Sequence, residues 1–302
     1  MNTPLPDLGD LLHDAVDGIE PADRIEAIRD RTAASPAHAA RPWFYAAGGV
    51  VLATAATVAA FALLGDSSGP DRDHDMATTP TGTQVVPVYF IGDSPRGDRL
   101  FREYDEVPAG DPLQAALDRM ERPPSDPDYR TPWTTSSFGS ATLRDDGIDV
   151  ELEDGTLDDD LSAQQVVYTL QAAVGERLPV QLVRDGEPVG EPLTAQSDVL
   201  NLVMINDPTE GLAVGAGFTA RGAANSFEAT VPWEIRDESD QVVKQGYATA
   251  TGWMDKLYPW HATIDVRDLP PGFYTFVAMT ADPSGGAEGS GPFSDTRTIV
   301  VR

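Results

Sequence analysis

The sequence predicts one transmembrane helix followed by two exterior domains, an α+β domain and an all-β immunoglobulin-like sandwich. Three observations lead to this fold class: a long uncharged segment, mixed strand and helix patterns after it, and a closing run of short strand patterns. With 41% hydrophobic and 23% charged residues, the chain has the composition of a folded protein. Its 302 residues suggest two domains, at roughly 150 residues per domain.

The membrane segment covers residues 44–64, which read FYAAGGVVLATAATVAAFALL and contain no charged side chain. About 20 apolar residues cross a bilayer core of roughly 30 Å, so this segment is long enough to span it. We assign residues 43–64 to a transmembrane helix. A buried core helix and a cleaved signal peptide are the alternatives, but the preceding tail is far longer than the charged region of an ordinary signal peptide.

The charges beside this segment predict its orientation. Four arginines precede it: Arg24, Arg29, Arg31 and Arg41. The nearest basic residue after it is Arg72. Because positively charged flanks stay inside, residues 1–42 are predicted to form a cytoplasmic tail, with the rest of the chain outside the membrane. The tail carries the patterns of short amphipathic helices, and residues 65–84 have the polar composition of a flexible linker.

The net charge of −28 excludes several classes of function. The part beyond the membrane segment contains 17 basic and 41 acidic residues, a net charge of −24. A surface of this kind repels phosphate backbones, so no nucleic-acid partner is expected. The absence of cysteine excludes disulfides, thiolate metal sites, cysteine nucleophiles and a lipid attached to cysteine. The predicted anchor is therefore the helix itself.

The first exterior domain is predicted to cover residues 85–195. Asp111 and Pro112 are typical of a helix N-cap followed by the first helical residue. Asp146-Gly147 indicates a hairpin turn between two strand patterns. The predicted elements are strands at 85–91 and 100–107, a helix after Asp111, paired strands at 138–143 and 148–152, a helix at 161–174 and a strand at 180–183. This order is that of an α+β domain.

The second exterior domain is predicted to cover residues 199–302. Seven short strand patterns in about 100 residues are typical of an immunoglobulin-like sandwich. The segment from Asp265 to Tyr274, DVRDLPPGFY, predicts a tyrosine corner, in which the phenol bonds to backbone a few residues upstream. Trp233 is the expected aromatic partner in the core.

Both domains resemble known families. Residues 85–195 are similar to the GerMN domain of spore-germination and envelope proteins through VPVYFIGD, REYDEVPAGDPLQAALDRM, GIDVELED, QQVVYTLQAAV and VQLVRDGEPV. Residues 199–302 resemble the immunoglobulin-like domain of bacterial spore germination proteins through GFTARGAANSFEATVPWEIRD, TGWMDKLYPWHATI, LPPGFYTFVAMTADPSGG and TRTIVV. The tail LGDLLHDAVDGIEPADRIEAIRDRT is similar to tails that precede the anchor of actinobacterial envelope proteins. These resemblances imply an envelope protein and carry over no catalytic residues.

The sequence contains no recognisable catalytic motif, and we predict that the protein is not an enzyme and has no cofactor. Its four histidines are scattered: His13, His38, His74 and His261. No H-E-x-x-H pair, G-x-S-x-G elbow, P-loop or G-x-G-x-x-G is present. The hydrolase class would need an acid–base pair that the sequence does not contain.

Two acidic segments resemble metal sites, but we predict no metal. Asp71, Asp73 and Asp75 alternate as in a calcium loop, yet Met76 stands where the turn needs glycine. A longer acidic run covers residues 145–160. Its first part alternates with apolar residues, which is typical of the outer face of a strand, and its last part precedes a helix, where the helix dipole favours acids.

The aromatic loop at residues 253–260, WMDKLYPW, is the strongest candidate for ligand binding. Aromatic side chains in a loop can serve as anchors for a carbohydrate or protein surface, and part of this set is expected to close the sandwich core. The candidate binding residues are Trp253, Tyr258 and Trp260.

The sequence therefore predicts a single-pass, non-catalytic protein whose exterior domains bind a cell-wall polymer or an envelope protein. The alternative is a transmembrane signalling component whose cytoplasmic tail holds a regulator. The sequence leaves the ligand and the oligomeric state open.

Overall fold

The computed structural model describes residues 82–154, 160–283 and 291–302. The predicted tail, the predicted membrane segment 44–64 and the linker as far as residue 81 lie outside the described residues. Within the described ranges, no helix is both long and apolar enough to cross a membrane. The first strand begins at Thr83, so the last two residues assigned to the linker belong to a strand.

The first domain contains seven strands and two helices in the described residues. In chain order they are β1 (Thr83–Gly92), β2 (Arg99–Pro108), α1 (Pro112–Met120), β3 (Tyr129–Arg130), β4 (Phe138–Leu143), β5 (Ile148–Leu152), α2 (Asp160–Val174), β6 (Val180–Arg184) and β7 (Glu187–Leu193). One sheet has the order β2-β1-β3 and the other the order β4-β5-β6-β7. Strands β5 and β6 are parallel and are connected through α2.

Helix α1 begins as its sequence predicts. The carboxylate of Asp111 accepts a hydrogen bond from the backbone amide of Gln114 at 3.0 Å, and Pro112 occupies the first helical position. Such a cap satisfies an amide that the helix itself leaves without a partner. The buried face consists of Leu113, Ala116, Leu117 and Met120. The hairpin between β4 and β5 is also confirmed, since Arg144 donates its amide to the carbonyl of Gly147 at 2.8 Å.

Strand β1 is buried on both of its faces, which explains its nearly continuous apolar pattern. Val88 and Phe90 point into the main core of the first domain. Tyr89 and Ile91 point into a second cluster, which also contains Tyr168 of α2 and Met204 of the second domain. The two domains therefore share apolar packing at their junction.

The second domain is a sandwich with eight strands in the described residues. They are β8 (Val203–Asp207), β9 (Leu212–Val214), β10 (Gly217–Ala224), β11 (Thr230–Arg236), β12 (Val242–Thr249), β13 (Tyr258–Asp265), β14 (Gly272–Met279) and β15 (Ser294–Val301). One sheet has the order β13-β10-β8 and the other the order β12-β11-β14-β15-β9. The short strand β9, which the sequence patterns did not predict, pairs in parallel with β15.

The tyrosine corner is confirmed, because the hydroxyl of Tyr274 donates to the carbonyl of Pro270 at 2.9 Å. Trp233 packs at the edge of the core, where its ring lies over Gly246 and 6.4 Å from the ring of Phe276. A different tryptophan, Trp260, is the one buried within the core.

Candidate functional site

An open pocket of about 230 Å³ lies where the first domain meets one end of the sandwich. The first domain contributes Arg96, from the turn between β1 and β2. The sandwich contributes Leu202 and three loop segments, residues 225–227, 280–283 and 291–293. The guanidinium of Arg96 lies over the ring of Phe293 at 5.6 Å, so a residue from each domain meets at the wall of this pocket.

An exposed aromatic rim, formed by Phe227, Trp253 and Met254, adjoins the pocket. Phe227 is 44% exposed and Trp253 is 38% exposed, and their rings meet edge to face at 5.3 Å. Met254 is 72% exposed. Because Phe227 also lines the pocket, the rim and the pocket are continuous. Exposed aromatic groups beside a concave surface are a frequent feature of binding sites.

Asn225 holds the rim in place. Its side-chain amide donates to the carbonyl of Met254 at 3.1 Å, and its side-chain oxygen accepts from the Met254 amide at 2.9 Å. Met254 has a φ of 98°, which residues with a Cβ rarely adopt. Backbone of this kind persists only where surrounding contacts determine it, and it is concentrated at functional sites. The two bonds to Asn225 supply these contacts.

The structure separates the three aromatic residues that the sequence singled out. Trp253 is exposed on the rim. Tyr258 is partly buried, and its hydroxyl donates to the carboxylate of Asp255 at 2.7 Å, which lowers the pKa of Asp255. Trp260 is 2% exposed and packs in the sandwich core, so its ring does not reach the surface. Tyr258 and Trp260 belong to strand β13, so the prediction of a loop through residue 260 is wrong for its last three residues. The expectation that part of this segment closes the core applies to Trp260.

Phe227 and Arg96 were missed as candidate site residues. Phe227 precedes β11 and reads in sequence as part of that strand, whereas it lies in a short 3₁₀ turn. Arg96 is far from the sandwich in sequence, so only the docking of the two domains brings it to the pocket. No sequence pattern signals a contact of this kind.

A buried polar network joins the two domains. Arg297 of β15 is 3% exposed and donates from Nη1 to Asp126 at 2.7 Å and to the hydroxyl of Tyr129 at 2.7 Å, both in the first domain. It also donates to Asp295 at 3.0 Å and, from Nη2, to the carbonyl of Ile205 at 3.0 Å. We call Arg297, Asp126, Tyr129 and Asp295 the junction network.

The partners of Arg297 are themselves bonded across the junction. The hydroxyl of Tyr129 donates to Asp295, and Arg297 lies over the Tyr129 ring at 5.2 Å. Thr296 donates its hydroxyl to Asp128 at 2.6 Å. These contacts connect the loop before β3 to strand β15, so the docking of the domains is specified by directional bonds as well as apolar packing.

Burial changes the acid–base properties of this network. It raises the pKa of Asp126 to about 7, against the opposing effect of Arg297. It also raises the pKa of Tyr129, and the negative charge of Asp295 adds to this effect. Burial disfavours the charge of Arg297, but Asp295, Tyr129 and Asp126 together raise the pKa of Arg297 above its ordinary value. Arg297 is therefore charged at any physiological pH.

The acidic run lies on an outer surface in the positions that are described. Asp149 of β5 pairs with Arg144 at 2.9 Å, and Glu151 accepts the amide of Asp185 at 2.9 Å. His261 is exposed on β13, opposite Arg221 of β10. In the parts of the chain that the structure describes, no three His, Cys, Asp or Glu side chains are grouped to hold a metal ion.

Three solved structures are similar to parts of the chain, and all three have low sequence identity. The tandem GerMN domains of the sporulation protein GerM from Bacillus subtilis match with 15% identity and a TM-score of 0.33, over 45% of this chain and 50% of that structure. An endo-beta-1,4-mannanase from Thermotoga petrophila matches with 12% identity and a TM-score of 0.27, over 48% and 25%. CopC from Methylosinus trichosporium OB3b matches with 17% identity and a TM-score of 0.22, over 33% and 92%. A comparison with curated proteins gives no match.

Family models match both domains. Residues 87–190 match the family described as "Sporulation and spore germination". Residues 202–287 match the family described as "Immunoglobulin-like domain of bacterial spore germination". Both resemblances seen in the sequence are confirmed, in the same order along the chain. The chain therefore carries a sporulation and spore germination domain followed by an immunoglobulin-like domain of bacterial spore germination.

Proposed function

We propose that the protein is a single-pass, membrane-anchored and non-catalytic protein of the cell envelope, whose exterior domains bind a cell-wall polymer or an envelope protein. The uncharged segment 44–64 and the arginines before it support the anchor and its orientation. The two family assignments support a role in the envelope. The net charge of −24 beyond the membrane segment favours solubility of these domains and disfavours non-specific association with other acidic molecules.

The observation that carries the binding role is the aromatic rim. Phe227, Trp253 and Met254 expose apolar surface beside a pocket, and Asn225 fixes the backbone of Met254. Apolar surface costs solubility when it is exposed, so a fixed aromatic rim at a domain junction is typical of a surface that is covered by a ligand. Trp253 is its central residue, and Tyr258 supports the same loop.

Co-sedimentation with isolated cell walls tests the binding role. The wild-type chain is expected to sediment with the walls, and Trp253→Ala is expected to weaken this association about tenfold, because an exposed aromatic anchor is lost. Phe273→Ala is the matched control, since Phe273 is 58% exposed on the same sandwich. Phe273 lies at the start of β14, whereas the pocket follows the end of that strand, about 20 Å away. Equal sedimentation of wild type and Trp253→Ala contradicts the proposal.

Protease accessibility tests the anchor. Protease added to intact cells stripped of their wall is expected to remove residues 65–302 and to spare a short N-terminal fragment. An epitope tag at the N-terminus and one at the C-terminus distinguish the two ends. Full protection of the C-terminal tag until the membrane is opened with detergent contradicts the proposed orientation.

A further inference from the structure

We call the pocket between Arg96 and the sandwich loops the junction pocket, and its size limits the ligand that it can hold. Its volume of about 230 Å³ is below the range of about 300–1,000 Å³ that is usual for drug-sized ligands. It therefore fits one small unit, such as a single residue of a polymer. Phe227 belongs both to the lining of the pocket and to the aromatic rim, so a longer chain with one end in the pocket can continue across Phe227 and Trp253.

The walls of the pocket combine apolar faces with a few polar groups. Leu202 and the rings of Phe227 and Phe293 are the apolar part. Arg96 and Asp282 carry opposite charges that offset each other, so the lining has no net charge. The hydroxyl of Thr280 accepts from the amide of Phe293 at 3.0 Å, a role that a hydroxyl can combine with donating to a ligand.

This combination matches a sugar ring better than an anionic polymer. A pyranose has an apolar face of C–H groups, which packs on aromatic rings, and an edge of hydroxyl groups, which pair with side chains that donate or accept. Anionic polymers are repelled by the surrounding charge of −24. Because the lining has no net charge, it favours a neutral unit over a charged one.

We infer that the junction pocket binds one uncharged sugar unit of a glycan, and that the next unit packs on the rings of Phe227 and Trp253. This inference rests on the proposed envelope-binding function and names the ligand class of that site. Arg96 belongs to the first domain and the rest of the lining to the second, so the site is complete only when the two domains are docked.

Calorimetric titration of the full-length chain tests this inference, with an uncharged oligomer of N-acetylated hexosamines as the probe. Wild type is expected to bind it, and Phe227→Ala is expected to bind about tenfold more weakly. Thr280→Val keeps the shape of the side chain and removes its hydroxyl, so it is expected to weaken binding less than Phe227→Ala. Phe273→Ala is expected to bind like wild type, because Phe273 is also an exposed aromatic residue but lies away from the pocket.

The inference is overturned if wild type does not bind the oligosaccharide, or if Phe227→Ala binds it as tightly as wild type does. A wall-derived peptide that binds at the rim in place of the oligosaccharide overturns it as well. Co-sedimentation keeps this failure separate from failure of the proposed function. If the chain sediments with cell walls but does not bind the oligosaccharide, only the glycan inference is contradicted. If it neither sediments with cell walls nor binds the oligosaccharide, the proposed function is contradicted as well.

Discussion

Arg297 is the residue that joins the two domains most directly. It is almost fully buried, and it donates to Asp126 and Tyr129 of the first domain and to Asp295 of the second. A buried ion pair gains little over well-packed apolar groups, because both charges lose their hydration. Removal of one partner alone is costly, since the remaining charge stays buried without compensation.

Replacement of Arg297 by Met tests this role. We expect Arg297→Met to lower the free energy of unfolding by about 3–5 kcal/mol, because Asp126 and Asp295 lose their shared cation. Urea unfolding measures the change. The matched control is Arg221→Met, since Arg221 is 63% exposed and pairs with Asp207 at 3.4 Å on the surface. That substitution is expected to cost less than about 1 kcal/mol. Similar costs for the two variants would argue against a junction role for Arg297.

Asp126 makes the stability of this junction dependent on pH. Its pKa in the folded protein is about 7, above its ordinary value of 3.8, so the folded protein holds this proton more tightly than the unfolded chain does. The stabilisation from protonated Asp126 is therefore complete below a pH of about 4 and is lost as the pH rises through about 7. The charged and titratable groups around Asp126 are Glu103, Asp105, Asp128, Asp295, Arg119, Tyr129 and Arg297.

The substitution Asp126→Asn isolates this dependence. Wild type is expected to unfold at a lower urea concentration at about pH 8 than at about pH 6, and the variant is expected to show a smaller difference between the two. Other carboxylates titrate in both proteins and cancel in the comparison. An identical pH dependence in the two proteins would show that Asp126 keeps an ordinary pKa.

At the scale of elements, strand β10 shows how a single glycine permits local packing. The pairing of β10 with β8 changes register between Arg221 and Gly222. A Cβ at Gly222 would lie 1.9 Å from the carbonyl oxygen of Met204 and 2.7 Å from the ring of Trp260. The backbone of β8 and a core tryptophan can therefore approach this point only if it carries no side chain.

Gly222→Ala is expected to lower the free energy of unfolding by about 2 kcal/mol or more, because either the strand pairing or Trp260 must move. Urea unfolding followed by tryptophan fluorescence measures this effect. Gly215→Ala is the matched control, since a Cβ at Gly215 meets nothing within 4 Å. Equal stability of the two alanine variants would contradict the close approach seen at Gly222.

The burial and length of each element decided whether it could be predicted from sequence. Strand β1 and both helices were predicted because burial imposes an apolar pattern on them. Strand β7 was missed because it is largely exposed at the edge of its sheet, so burial imposes no alternation on its sequence, EPVGEPL. Strands β3 and β9 have two and three residues, too few to show a period.

The site was only partly predictable for a related reason. The aromatic loop was identified from its composition, but composition did not show that Trp260 turns into the core while Trp253 stays exposed. The pocket could not be predicted, because it depends on the docking of Arg96 against a domain more than a hundred residues away in sequence. Contacts of this kind are set by tertiary packing, which a local pattern does not encode.

At the scale of the whole molecule, the sporulation and spore germination domain and the immunoglobulin-like domain form one body. Shared apolar packing around Met204, the junction network and the bond between the amide of Asn201 and the carbonyl of Leu100 at 3.0 Å all cross the boundary. A pocket with walls from both domains needs this fixed arrangement. The two domains that the family models identify therefore form one structural unit. The proposed ligand site belongs to both domains together rather than to either one alone.

A distance measurement between spin labels tests this claim most directly. The chain has no cysteine, so Asp146→Cys and Ser239→Cys place one label on an exposed turn of each domain without other changes. We predict a single narrow distribution of distances in the full-length protein, and a broader one when Arg297→Met is added. A broad or multiple distribution without Arg297→Met would show that the domains move independently, and it would contradict the account of a site built from both.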